Sequence, residues 1–191
     1  VFPGIYRESV DPKHGGTENE RIIYRSVEKG QAHITGAESV KGWEHIENGV
    51  WKSVVPNGIF GSFNPFTTLV SGDWYIAYSV AHTGDVYLNE KSMYEVTDLE
   101  EIYHPKKAES SWDPDFSIYT WFTEQSSEKD KTIIYANFHE LNPNHENVEI
   151  SVRKNCFYPS GEGHGYITLS GFKISQAASQ WAPPTAYQEG M

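Results

Sequence analysis

Residues 166–175 read YITLSGFKIS, and this stretch decides the fold. Ile167 and Leu169 alternate with polar residues, so both side chains lie on one face of a strand. Gly171 then interrupts the run, and Phe172 opens a second strand with the same alternation. A strand, a glycine corner and a second strand are typical of one turn of a parallel β-helix. The stretch therefore predicts a solenoid of parallel strands.

Three other stretches have the same style. They are residues 5–10, residues 21–27 continued by 32–34, and residues 148–153 (VEISVR). In VEISVR, alternation predicts that Val148, Ile150 and Val152 face inward while Glu149, Ser151 and Arg153 face outward. Periods of roughly 20–25 residues belong to the range of solenoid repeats. These stretches predict β-helix turns at both ends of the chain.

The middle of the chain, residues 43–147, has a different pattern. Short apolar runs alternate with Gly, Pro, Asn and Asp, which is typical of a β-sandwich. The predicted strands are 50–55, 66–70, 74–80, 86–88, 92–96, 116–122 and 132–138. Residues 89–91 predict a tight hairpin and 126–131 an exposed hairpin tip. Residues 96–103 alone favour a short helix, with Thr97 as N-cap and Glu100 as its partner. We therefore divide the chain into 1–42, 43–147 and 148–191: first β-helix turns, an inserted sandwich, and continuing β-helix turns.

Composition limits the classes of partner. The chain has 191 residues and a formal net charge of −11, from 15 Lys and Arg against 26 Asp and Glu. This acidity argues against nucleic acid and against anionic membranes as partners. The single Cys156 excludes an intramolecular disulfide, and no apolar run approaches the ~18 residues of a membrane span. Because the chain opens on VFPGIYRESV without Met, we expect a piece of a longer protein, and the sequence leaves its compartment open.

Four segments carry a family resemblance. They are PGIYRESVDPKHGGTENERIIYRS (3–26), GDVYLNEKSMYEV (84–96), IIYANFHELNPNHENVEISVR (133–153) and GYITLSGFKISQAASQWAPPT (165–185). Through these four segments, the chain resembles the N-terminal region of β-helical β-xylosidases among the glycoside hydrolases. The resemblance implies an all-β fold, in which right-handed parallel β-helix segments are interrupted by an inserted antiparallel β-sandwich.

The resemblance also implies an activity. It implies a retaining exo-enzyme that releases xylose from xylo-oligosaccharides with two carboxylates roughly 5–5.5 Å apart. In such enzymes the pair follows the inserted sandwich, so we expect it beyond Met191 and expect the chain alone to be inactive. No cofactor and no metal are expected. The partners implied are a xylo-oligosaccharide or related sugar and the remainder of the β-helix, and a homo-oligomer is compatible.

Three residues near the C-terminus are the candidate substrate contacts. The indole of Trp181 offers a flat surface to the C–H face of a sugar, and Pro183-Pro184 would stiffen its loop. Gln188 can hydrogen-bond sugar hydroxyls through both amide groups, and Glu189 can accept from them. A tryptophan that covers the helix edge, and two solvated surface residues, are the structural alternatives.

A second cluster of carboxylates lies in AESSWDPDF, residues 108–116. Glu109, Asp113 and Asp115 could bind calcium or transfer protons, but Ser-Ser and Asp-Pro equally favour a plain turn. Trp112 beside them could reach a neighbouring active site or belong to the core. The eight His lack zinc-site spacing, and His14 and His164 lie in Gly-rich turns.

Two functions from other classes remain open at this stage. The chain could be a carbohydrate-binding or structural module without chemistry of its own. It could also belong to another β-helix enzyme, such as a polysaccharide lyase. A lyase that acts on uronates favours clustered basic residues to neutralise the substrate, and the Lys and Arg of this acidic chain are dispersed.

Overall fold

The computed structural model describes residues 1–71 and 80–178. The chain divides into two compact units. The parallel-strand unit combines Val1–Ala37 with the chain from Arg153 on, and the two-sheet unit is Glu38–Val152. The predicted sandwich segment, residues 43–147, falls within the two-sheet unit.

Nearly all regular structure in the described residues is β-strand. The strands are β1 (Gly4–Arg7), β2 (Ile22–Arg25), β3 (Ala32–Thr35), β4 (Ala37–Ser39), β5 (Glu44–Glu47), β6 (Val50–Pro56), β7 (Val86–Leu88), β8 (Lys91–Ser92), β9 (Tyr94–Glu95), β10 (Thr120–Gln125), β11 (Lys131–Asn137), β12 (Val148–Ser151), β13 (Ile167–Ser170) and β14 (Phe172–Ser175). A 3-10 helix, Asn57–Phe60, and an α-helix, α1 (Leu99–Tyr103), are the helical elements described. The predicted all-β class is confirmed.

Among the described residues of the parallel-strand unit, the ladders between strands are parallel. One sheet has the order β1-β3-β14, and a second pairs β13 with β2. Ala32 is opposite both Gly4 and Phe172, while Ile22 is opposite Ile167. Strands β2 and β3 are consecutive in the chain, and so are β13 and β14. Since β13 pairs with β2 and β14 pairs with β3, the segment β13–β14 is stacked on the segment β2–β3 in register.

The corner between β13 and β14 is the glycine corner that the sequence predicts. Gly171 has φ of 77°, a left-handed conformation that glycine adopts without steric cost. Its carbonyl accepts a hydrogen bond from the backbone N–H of Gly30 at 2.7 Å. The corner is therefore tied to the loop between β2 and β3.

The described residues of the two-sheet unit form a five-stranded sheet of order β5-β6-β11-β10-β9 and a four-stranded sheet of order β4-β12-β7-β8. Their side chains share one apolar core, which includes Trp121, Ile134, Val148 and Ile150. The prediction of a purely antiparallel sandwich is wrong in one respect. Strand β9 runs parallel to β10, with Tyr94 opposite Thr120, so the larger sheet is mixed.

Several predicted elements change in detail. Residues 66–70 form turns and one isolated bridge, Leu69 to His82, and residues 92–96 are divided between β8 and β9. Helix α1 begins after Asp98, whose carboxylate accepts from the N–H of Glu100 at 2.9 Å. Asp98, and not Thr97, is therefore the N-cap, because its side chain is the one next to the first free N–H groups.

Strand β12 contradicts the predicted alternation of VEISVR. Glu149 and Ser151, expected to face outward, are 4% and 0% exposed. Both are buried because β12 is an inner strand between β4 and β7 and both polar groups find partners. The Ser151 hydroxyl lies 3.1 Å from the Tyr87 hydroxyl, and the Glu149 carboxylate accepts from the Asn147 amide at 3.3 Å.

Candidate functional site

A turn in the two-sheet unit, residues 108–117, presents one tryptophan to solvent, and we name it the Trp112 turn. Trp112 is fully exposed, with a relative exposure of 104%. The carbonyl of the next residue, Asp113, accepts from the N–H groups of Phe116 at 3.2 Å and Ser117 at 3.0 Å. The Ser117 hydroxyl in turn accepts from the N–H of Ala108 at 2.8 Å. The turn thus holds an exposed indole of the kind that stacks on the apolar face of a sugar.

The carboxylates around Trp112 are paired with cations. Lys91 forms an ion pair with Asp113, while Lys107 lies 2.8 Å from Asp115 and 3.9 Å from Glu109. The hydrogen bonds from the Lys91 ammonium and the Phe116 N–H lower the pKa of Asp113. A carboxyl with a lowered pKa is a poor proton donor at neutral pH. The geometry therefore favours an ion-paired turn over an acid–base pair.

No group of three His, Cys, Asp or Glu side chains that could hold a metal ion occurs within residues 1–71 and 80–178. In this same part of the chain, no helix is long and apolar enough to cross a membrane.

A polar cluster in the two-sheet unit surrounds Asp85. Its carboxylate accepts from the Val86 N–H at 2.8 Å and from the Ser92 hydroxyl at 2.5 Å. Burial nevertheless raises the pKa of Asp85 to about 7, and the nearby charge of Glu95 acts in the same direction. Glu95 accepts from both the backbone N–H and the Nδ1 of His82, at 2.8 and 2.5 Å. Asp85 is thus a carboxyl that titrates near neutral pH.

Two buried threonines of the larger sheet differ in their hydrogen bonding. The hydroxyl of Thr132, which is 0% exposed, donates to Asn57 at 2.7 Å and accepts from Gln125 and Asn64 at 2.9 and 3.0 Å. The hydroxyl of Thr120, which is 3% exposed, has no hydrogen-bond partner among the described residues. A buried hydroxyl without a partner destabilises a fold, because the hydrogen bonds that it makes to water in the unfolded chain are not replaced.

Substitution of Val for Thr should change the free energy of unfolding in opposite directions at Thr120 and Thr132. Thr120→Val removes an unpaired hydroxyl without changing the shape of the side chain, so we expect it to raise the free energy of unfolding by about 1 kcal/mol. Thr132→Val removes three hydrogen bonds, to Asn57, Gln125 and Asn64, and we expect a loss of about 1–3 kcal/mol. Urea unfolding followed by circular dichroism measures both. Equal destabilisation by the two variants would contradict the difference in hydrogen bonding.

The predicted substrate contacts Trp181, Gln188 and Glu189 lie outside the described residues. The other residues considered belong to local structure. The Nδ1 of His164 lies 3.2 Å from the carbonyl of Pro12. Cys156 is buried, its thiol donates to the carbonyl of Ser175 at 3.2 Å, and burial raises its pKa, so it is a poor nucleophile.

Comparison with known protein families identifies the family of the two-sheet unit. The family described as glycoside hydrolase 120, insertion domain, matches residues 40–150. The chain belongs to this glycoside hydrolase 120 family. The matched residues include strands β5 to β11, most of β12 and the Trp112 turn, so Trp112, Asp85 and Thr120 lie within the insertion domain. No curated protein matches the chain.

A solved structure is similar to this glycoside hydrolase 120 chain over its whole length. The structure of XylC in complex with xylose has a TM-score of 0.92 and 41% sequence identity. The match covers 100% of this chain and 32% of the XylC chain, so this chain spans about a third of the length of XylC.

The sequence did not single out Asp85 or Thr120 as functional. Asp85 stands in the GDVYL segment, directly before an alternating strand, where an acidic residue usually reads as part of a turn. Thr120 begins strand β10 and reads as an ordinary β-branched strand residue. Their interest comes from burial, which depends on segments distant in the chain.

Proposed function

We propose that the chain is part of a retaining exo-β-xylosidase that releases xylose from xylo-oligosaccharides. The observation that carries this proposal is the similarity to XylC, solved with xylose, at 41% identity across the whole chain. An identity of 41% supports a shared class of sugar substrate, whereas a fold match alone would support only the architecture. The glycoside hydrolase 120 match over residues 40–150 supports the same class of enzyme.

We further propose that the parallel-strand unit forms turns of a right-handed parallel β-helix and that the two-sheet unit is inserted into it. The stacking of β2 and β3 on β13 and β14, in register and with a glycine corner, supports this architecture. A solenoid tolerates an insertion because each turn needs only its neighbours to be stable. The rest of the β-helix is then the natural partner of this unit.

The catalytic carboxylates belong, in this proposal, to β-helix turns C-terminal to Met191. The paired carboxylates of the Trp112 turn are neutralised by Lys91 and Lys107, which makes them weak candidates. Trp181, Gln188 and Glu189 are proposed to contact the sugar at the edge of the cleft. Trp112 is a second aromatic surface whose full exposure suits contact with a sugar or a neighbouring chain.

Hydrolysis of an aryl β-xyloside tests the proposal. We expect the full-length product of the gene to release the aryl group and the 191-residue chain alone to release none. NMR of the first product distinguishes mechanisms, because a retaining enzyme yields the β-anomer of xylose before mutarotation. Trp181→Ala should raise KM in the full-length protein, whereas Tyr158→Ala, at an exposed aromatic of the parallel-strand unit, is the matched control.

Each alternative has its own result in this experiment. Turnover by the 191-residue chain would overturn the placement of the catalytic pair, and Glu189, Asp113 and Asp115 would be the first residues to substitute. Sugar binding without hydrolysis by the full-length protein would favour a carbohydrate-binding module. Cleavage of a uronate polymer with formation of an unsaturated product would favour a lyase.

A further inference from the structure

A groove in the two-sheet unit lies at the edge of the larger sheet, beside strands β5 and β6, and we name it the Trp51 groove. Its volume is about 450 Å³. Small-molecule sites in proteins have volumes of about 300–1,000 Å³, so the groove is large enough for one sugar ring. The lining residues with functional groups are His45, Asn48, Trp51, His139, Glu140 and Asn142.

One wall of the groove is the tight turn between β5 and β6. Its two residues, Asn48 and Gly49, have φ of 49° and 80°, as in two-residue hairpin turns with positive φ at both positions. The carbonyl of Gly49 accepts from the N–H of Phe138 at 2.8 Å. A Cβ atom on Gly49 would lie 2.8 Å from the Cα of His139, so this turn is in direct contact with the opposite wall. The groove is therefore preformed.

The opposite wall begins at His139, which is held on three sides. Its N–H donates to the Oδ1 of Asn137 at 2.9 Å, its ring lies 4.8 Å from the ring of Tyr119, and its Nε2 lies 3.1 Å from the carbonyl of Ile118. Because a carbonyl only accepts, Nε2 carries the proton, and the Nδ1 of the neutral ring is left as an acceptor. This fixed ring offers a ligand one acceptor of defined position.

Trp51 provides an apolar surface and a donor that a ligand can reach. Its indole is half-buried, and the ring of His45, directly opposite in the β5–β6 pair, lies 4.9 Å from it. The indole N–H has accessible surface and no hydrogen-bond partner among the described residues. An indole packs against the C–H groups of a sugar while its N–H donates to a hydroxyl.

The other polar groups of the groove are nearly all uncharged. The amide of Asn48 is exposed and has no partner within the described chain, so it can both donate and accept. The Oδ1 of Asn142 accepts from the N–H of Asn144 at 3.0 Å, which leaves its NH₂ group as a donor. Glu140 is the one carboxylate, and neither Lys nor Arg lines the groove. This set suits a neutral ligand with several hydroxyl groups.

We propose that the Trp51 groove is a sugar-binding site of the insertion domain and that its ligand is a pentose such as xylose. The ring of the sugar packs on Trp51, and the Asn48 amide bonds to its hydroxyls from the edge of the groove. The choice of a pentose rests on the proposed function, whereas the case for a neutral sugar ring rests on the aromatic surface and the uncharged polar groups alone.

The test is a titration of the full-length protein with xylose, with fluorine-labelled tryptophan and fluorine NMR as the readout. The resonance of Trp51 is assigned from its loss in Trp51→Phe. We expect a saturable shift of this resonance. Asn48→Gly removes the amide but keeps the turn, because glycine adopts positive φ without steric cost, and it should weaken binding about five- to ten-fold, the loss of one hydrogen bond.

Glu90→Gly is the matched control for Asn48→Gly. Glu90 is also exposed and also has positive φ, 69°, in the hairpin turn between β7 and β8, and it does not line the groove. Its glycine variant should stay within about two-fold of the wild type. A similar loss of affinity in both variants would show that turn flexibility, and not the Asn48 amide, affects binding, and would overturn the site.

Two further results would overturn the site: the absence of a saturable shift at Trp51, and equal affinities of the wild type and Asn48→Gly. Binding of glycerol as tight as that of xylose would overturn the assignment of a sugar ring. Hydrolysis of the aryl xyloside by the unmodified full-length protein is measured separately. Hydrolysis without a response at Trp51 contradicts this site alone, and a response at Trp51 without hydrolysis contradicts the proposed function alone.

Discussion

Asp85→Asn is expected to remove a large part of the pH dependence of stability between about pH 4 and pH 7. Burial raises the pKa of Asp85 to about 7 in the folded chain, from 3.8 for an unperturbed aspartate. Between these two values the unfolded chain loses its proton while the folded chain keeps it. The stability from this group is therefore fully present below pH 3.8 and is lost as the pH rises toward 7.

The expected size follows from linkage. One such group changes the free energy of unfolding by at most about 1.4 kcal/mol per pH unit, so over the roughly three pH units between 3.8 and about 7 the total loss is on the order of 4 kcal/mol. The side-chain amide that replaces the Asp85 carboxyl can still accept from the Val86 N–H and remains near Ser92, but it does not ionise. The variant should match the wild type near pH 4 and exceed it in stability at pH 8.

Urea unfolding at pH 4, 5.5 and 8 measures this difference. His82 and Glu95 are present in both proteins, so the difference between the two curves reports the ionisation of residue 85 together with its coupling to Glu95. Asp115→Asn is the matched control, because Asp115 is exposed and its nearest partner is the solvated Lys107. A wild type and an Asp85→Asn variant with parallel pH profiles would show that Asp85 ionises normally in the folded chain.

Phe66→Ala is expected to cost about 3–5 kcal/mol of the free energy of unfolding. Phe66 is 2% exposed, and its ring lies 5.8 Å from the ring of Phe60 and 5.6 Å from that of Trp121. A Cβ atom on Gly84 would lie 3.1 Å from the Phe66 ring, so the packing around it is tight. Removing the ring leaves a cavity that these neighbours cannot fill.

Trp112→Ala is the control for this prediction. It also deletes an aromatic ring from the two-sheet unit, but Trp112 is fully exposed, so its free energy of unfolding should change by no more than about 0.5 kcal/mol. Circular dichroism follows both variants in urea without relying on tryptophan fluorescence. A cost for Trp112→Ala comparable with that for Phe66→Ala would mean that the Trp112 turn packs against another chain in solution.

Local signals predicted the elements whose partners lie close in sequence. The hairpin of β7 and β8 follows from residues 89–91, and the structure places Asn89 and Glu90 at positive φ there. Gly171 predicted the corner between β13 and β14 for the same reason, since a left-handed conformation depends on the residue itself. The exposed tip at residues 126–131 was equally readable from its polar composition.

Elements whose environment is set by distant segments were predicted less well. The alternation in VEISVR placed Glu149 and Ser151 outside, but β12 is an inner strand and both are buried. Residues 92–96 read as one strand, yet Met93 is buried in the core and the chain passes there from β8 to β9, in the other sheet. The alternation of apolar and polar residues indicates that a segment is a strand, but it does not tell how many other strands flank it in the sheet.

The sequence by itself determined the all-β class, the glycine corner, the hairpins and the resemblance to a glycoside hydrolase. These depend on the conformational preferences of single residues and on short-range alternation, both of which are local properties of the chain. Only the tertiary structure decided that Asp85 has a raised pKa and that the Thr120 hydroxyl finds no hydrogen-bond partner among the described residues. Desolvation and hydrogen bonding are properties of what surrounds a group, and those surroundings come from segments far apart along the chain.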